Sequence, residues 1–96
     1  MHPSKVERER LVELTDLPNV GPSVAGDLRL LGIATPQALV GQDPLQLYHR
    51  LCRATGQRHD PCVLDVFMSI TAFMAGDAPR PWWDYTAQRK ARYGPL

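Results

Sequence analysis

The sequence has no apolar run longer than a few residues, so no segment of it reads as a membrane-spanning helix. Its first residues, Met1-His2-Pro3-Ser4-Lys5, hold no apolar stretch of the kind a secretory signal requires. The cytoplasm is therefore the expected compartment. Cysteine is scarce. Cys52 and Cys62 are the only two, and without an export signal they read as reduced thiols rather than a disulfide framework. An excess of one charge is also missing: the net formal charge is +1 at pH 7, whereas a strong nonspecific nucleic-acid binder carries a clear basic surplus. Repeats of 20 to 50 residues, low-complexity segments and alternating strand patterns are absent. No paired carboxylates, nucleotide-binding loop or nucleophile–base spacing stands out. These absences favour a non-enzymatic protein with no cofactor, no small-molecule substrate and no membrane partner.

What is present is an ordinary apolar fraction of 44% in 96 residues, enough for one folded core. The apolar positions follow helical periods throughout. Ser4-Lys5-Val6-Glu7 reads as a capping box opening a first helix to about Thr15 or Asp16, with Val6, Leu11, Leu14 and Leu17 inward. A second helix carries Val24, Ala25, Leu28 and Leu31, with Gly26 leaving room for a close helix approach and Gly32 closing the end. Thr35-Pro36, Asp43-Pro44 and Asp60-Pro61 then repeat one device, a capping side chain before a proline at the first helical position. They predict a short helix to Val40, a longer one to about Thr55, and a final one from Asp60 to Ala75. The last, with Val63, Leu64, Val66, Phe67, Ile70, Phe73 and Met74, is apolar around most of its girth and is expected at the centre. The expected fold is all-α: a compact five-helix bundle in residues 1–78.

Residues 79–96 form a proline- and tryptophan-containing tail. Pro79 and Pro81 hold its start extended, and Ala87 to Arg92 suit one or two helical turns. Trp82 and Trp83 are candidates for stacking on bases or on a partner, with Arg80, Arg89 and Lys90 supplying charge. The competing use is docking of the tail over an exposed core face. Asp65, alone among apolar neighbours, is expected at a solvent edge or hydrogen-bonded.

Leu17-Pro18-Asn19-Val20-Gly21-Pro22-Ser23-Val24-Ala25 joins the first two helices through a tight turn. Asn19 and Gly21 are residue types that tolerate positive φ, and Pro22 suits a first helical position. The free N–H groups at Ser23 and Val24 would face outward as an anion site. Candidate backbone-phosphate contacts are Asn19, Val20, Gly21, Pro22, Ser23, Val24 and, further along, Arg29.

This stretch resembles a helix-hairpin-helix motif, with Asn19 in place of the first glycine, Gly21 as the second and Ala25 at the small position. Together with Leu31-Gly32-Ile33, Leu51-Cys52, Asp60-Pro61-Cys62-Val63-Leu64-Asp65-Val66-Phe67 and Trp82-Trp83-Asp84, it resembles the bacterial "pathogenicity locus" helix-hairpin-helix family over roughly residues 10 to 86. A more distant similarity is to the C-terminal domain of TfoX-type competence regulators. The resemblance implies a SAM-like helical bundle and weak, sequence-independent DNA binding through the hairpin. Ser23 stands where DNA-binding hairpins often carry lysine, and Asp16 and Asp27 lie close by. The alternative function is a protein-interaction or self-association module without DNA binding.

One further constellation stands out. His49-x-x-Cys52 and His59-x-x-Cys62 supply four nitrogen and sulfur ligands of the kind that hold tetrahedral zinc. The bland reading puts Cys52 on an apolar stripe as a small buried thiol. A disulfide between the two on oxidation is a further alternative. Cys62 at a helix start is also a candidate low-pKa thiol, with His59 as base.

Overall fold

The computed structural model describes residues 1–96, and everything in it is arranged on the helix that Asp60 and Pro61 open. Asp60 Oδ1 accepts the Cys62 N–H at 2.8 Å, and the helix (α3) runs from Cys62 to Met74. Every residue from Leu64 to Ile70 is buried, as an apolar girth requires. The 3-10 turns at Pro36–Leu39 and Trp82–Tyr85 and the helices Pro44–Thr55 (α2) and Thr86–Tyr93 (α4) all pack on it. Its C-terminal end is capped from far away. Arg8 donates from Nη1 to the Phe73 carbonyl and from Nη2 to that of Asp77, both at 2.7 Å, with its guanidinium 4.0 Å above the Phe73 ring. The Phe73 carbonyl is one of the last of the helix and also accepts the Gly76 N–H at 3.1 Å; that of Asp77 lies just past the helix end.

α2 starts as its sequence dictates. Asp43 Oδ1 accepts from Leu45 N at 2.8 Å and Gln46 N at 3.3 Å, and Gly56 closes it at φ 67°. The helix before it (α1) spans Pro22–Leu30. Gly32, at φ 83°, terminates α1, and the Ile33 N–H reaches back to the Leu28 carbonyl at 2.9 Å. Arg50 of α2 donates to the Leu31 carbonyl at 2.7 Å. A Cβ added at Gly26 would meet nothing within 4 Å, so the expected close approach there does not occur.

The chain is all-helical, without strands, and its radius of gyration is 12.3 Å, close to the ~12.5 Å expected of a packed chain this long. Four α-helices form, not the expected five. The predicted first helix is instead three separate 3-10 turns, Pro3–Lys5, Arg8–Arg10 and Leu14–Asp16. The Ser4–Glu7 box does not form, because Ser4 N donates to His2 Nδ1 at 3.1 Å. Four charged residues, Glu7 to Arg10, interrupt the apolar stripe. Asp16 Oδ2 also captures the N–H groups of Val12 and Glu13 at 2.9 and 2.8 Å, a local bond that competes with a helix ladder. The predicted helix at Thr35 is likewise a single 3-10 turn, and the Thr35 side chain makes no cap.

The tail docks. Tyr85 is its buried anchor, Trp82 is half-buried and Trp83 stays 60% exposed. Thr86 Oγ1 donates to Asp65 Oδ2 at 2.7 Å and Arg89 Nε to Oδ1 at 2.5 Å. Asp65 is fully buried, so the hydrogen-bonded reading of it holds and the solvent-edge reading does not. No helix is long and apolar enough to cross a membrane.

Candidate nucleic-acid interface

The turn before α1 is built from the inside out. Leu17 and Val20 are fully buried on either side of it, and Asn19 sits between them at φ 66°, the one non-glycine residue with positive φ. Asparagine tolerates that region better than most residues. Here its side chain has a second task. Nδ2 donates to Ser69 Oγ on α3 at 3.0 Å and to the Arg80 carbonyl of the tail at 2.8 Å. The Met1 ammonium donates to the Leu17 and Val20 carbonyls at 3.0 and 2.7 Å. The Asn19 N–H returns to the Met1 carbonyl at 2.8 Å. The turn is thus held from three sides.

These bonds redistribute the expected contact set. Asn19 points inward, Val20 is buried, and Val24 is half-buried against the core. Gly21 does not need its freedom: at φ −100°, ψ −172° it is extended, a conformation open to any residue. What remains outward is a short run of amides. Gly21, Ser23 and Val24 donate to no protein acceptor, and the first bond of α1 runs from Ala25 N to the Gly21 carbonyl at 3.0 Å. Pro22, between them, has no N–H to leave unpaired. Pro22 and Ser23 are exposed. Arg29 is also exposed but lies about 120° round the helix from Ser23, so the two do not share one contact line.

Charge around these amides is mixed. Asp27 lies four residues on from Ser23, on the same helix face. The Asp16 carboxylate is engaged by the Glu13 and Val12 N–H groups, which hold its pKa below the usual carboxylate range. Burial pushes the Met1 ammonium below its ordinary pKa, against the opposing pull of Asp16. The Arg80 side chain is exposed where its carbonyl meets Asn19. The long-range bonds of Asn19 and Met1 carry no signal in a local motif, since their partners lie 16 to 61 residues away.

The four histidine and cysteine candidates do not form a zinc centre. No group of three or more His, Cys, Asp or Glu side chains is placed to share a metal ion. His49 is exposed and meets Tyr48 edge-on at 5.8 Å. His59 Nε2 pairs with Thr55 Oγ1 at 2.8 Å, and the His59 carbonyl accepts from the Tyr48 hydroxyl. Both cysteines are free and half-buried. Cys62 is not activated by its helix start. Burial, then the neighbouring Asp60, push its pKa up to about 11. Trp82 and Trp83 stand edge to face, 5.5 Å apart.

Residues 7–91 match the family model described as "Pathogenicity locus". The chain is 47% identical over 78 residues to the "Mitomycin resistance protein McrB" of Streptomyces lavendulae, which covers 81% of this chain and 74% of that protein. No solved structure matches the chain. With the family model spanning most of its length, the chain belongs to the pathogenicity locus family.

Proposed function

We propose that this chain is a non-enzymatic, sequence-independent DNA-binding module whose turn and α1 act as a helix-hairpin-helix. The observation that carries the reading is the run of unpaired amides at Gly21, Ser23 and Val24 on a rigidly held turn. Helix N-termini bind anions because their N–H groups and dipole both favour negative charge. Contacts of this kind go to phosphates and read no bases. One hairpin neutralises few phosphates, so binding is weak and its affinity falls only shallowly with salt. A fluorescence titration with duplex and single-stranded DNA at about 50 mM salt tests this. Ser23→Lys tightens binding and Ser23→Glu weakens it, while both fold normally because Ser23 is exposed. Absence of binding by the unaltered protein at micromolar concentration removes the proposal. The relative named for resistance to mitomycin supports a cellular test: survival of a mitomycin-sensitive host, with and without this chain.

A second reading, a protein-interaction module, rests on Trp83, which is 60% exposed at the edge of a docked tail. A bulky aromatic left in water at such an edge is a common anchor for a partner. Sedimentation of the wild type and Trp83→Ala distinguishes it, since self-association that survives the substitution would count against that role.

A further inference from the structure

A second cationic feature lies away from the hairpin amides. A cleft of about 400 Å³ opens between α4, the loop into α3 and the chain's last residues, lined by Arg58, Pro61, Arg89, Lys90, Gly94, Pro95 and Leu96. No aspartate or glutamate lines it. Asp60 is close enough for Arg89 to favour its ionised form, and Asp65 is paired to Arg89 from beneath. Arg58 and Lys90 are exposed and belong to neither of the two ion pairs in the molecule. α4 itself carries Arg89, Lys90 and Arg92 and no carboxylate. The near-neutral total charge therefore conceals a local concentration of positive charge.

The cleft is positioned relative to the hairpin by α3. Asp65 binds Thr86 and Arg89 of α4, and Ser69 binds Asn19 of the turn. These two buried residues are four apart, hence on one helix face and roughly 6 Å apart along its axis. α3 thus holds the basic helix through Asp65 and the turn before α1 through Ser69.

We propose that the Arg58–Lys90 cleft is a second contact for the nucleic-acid backbone, taking a phosphodiester group and supplying the positive charge that the hairpin lacks. The proposal rests on the DNA-binding reading and deepens it. Charge carries it: an anionic polymer is attracted to the Arg58 and Lys90 cations, which no carboxylate side chain pairs.

The test is fluorescence anisotropy of labelled duplex DNA with the full chain over a range of salt. Three proteins are compared: wild type, Arg58→Gln/Lys90→Gln, and Arg53→Gln/Arg92→Gln, which removes equal charge outside the cleft. Loss of two phosphate contacts makes the slope of log affinity against log salt shallower by roughly 1.8. That change in the cleft variant alone, at an unaltered melting temperature, is the expected result. An equal change in both variants, or none in the cleft variant, overturns the second contact and leaves the hairpin reading standing. Unchanged affinity of Ser23→Glu at fixed salt, with the shallower slope in the cleft variant, keeps the cleft and removes the hairpin. Failure of the wild type to bind overturns both.

Discussion

Arg89 donates its Nε–H to Asp65 Oδ1 at 2.5 Å, joining the tail helix to the first turns of α3 across 24 residues. The side chains are 11% and 1% exposed, so water cannot substitute for either partner. Removing only the arginine strands a buried carboxylate. Arg89→Ala is therefore expected to cost about 3–5 kcal/mol, measured by urea unfolding. Asp65→Asn costs less, and the double variant loses less than the sum because the stranded charge is gone. Additive losses would show that the two side chains act independently.

Asn19 separates two causes at one position. Asn19→Gly keeps the left-handed backbone and loses the bonds to Ser69 and Arg80, at about 1 kcal/mol. Asn19→Ala loses the same bonds and adds backbone strain, for a total of about 2–3 kcal/mol. Thermal unfolding should rank wild type above glycine above alanine. Equal stabilities for the two variants would mean that φ 66° costs alanine nothing here.

The Cys62 thiol should be slow to alkylate. With its pKa pushed up to about 11 by burial and by Asp60, little thiolate exists near pH 8, and thiolate is the nucleophile. Iodoacetamide labelling followed by peptide mapping should find Cys62 reacting far more slowly in the folded chain than in urea. The linkage has a definite sign. The raised folded value contributes stability that is complete below the unfolded thiol's pKa, near 9, and is lost as pH rises towards 11.

Acid acts through Asp16 and Asp60. Both carboxylates sit below their ordinary pKa, Asp16 through the Glu13 and Val12 N–H groups, Asp60 through the N–H and then the thiol of Cys62. Depressed folded values contribute stability above the usual carboxylate range, and that contribution disappears as pH falls through the folded pKa. Melting temperature should hold level down to about pH 5 and fall below about pH 4. In Asp60→Asn the fall should be shallower.

Much of this architecture was readable from local chemistry. Asp43-Pro44, Asp60-Pro61 and the closing glycines act over three or four residues, so the side chain and its partner amide are both visible in the sequence. The helix from Val63 to Met74, apolar around most of its girth, belongs at the centre. The apolar positions Val6, Leu11, Leu14 and Leu17 have helical spacing but no helix forms, because the charged residues Glu7 to Arg10 leave a gap in the stripe. Arg8, within that charged gap, bonds the end of α3 from 65 residues away.

The candidate site divides in the same way. The turn follows from its own residues: asparagine takes the positive φ, and Pro22 removes one donor at the start of α1. Packing of distant segments turns Asn19 inward, leaves Gly21 extended and brings Arg58 and Lys90 to one cleft. The physical reason is range. Caps and turns are closed by groups within a few bonds of one another, whereas a buried carboxylate such as Asp65 must find its partner wherever the packed chain brings one.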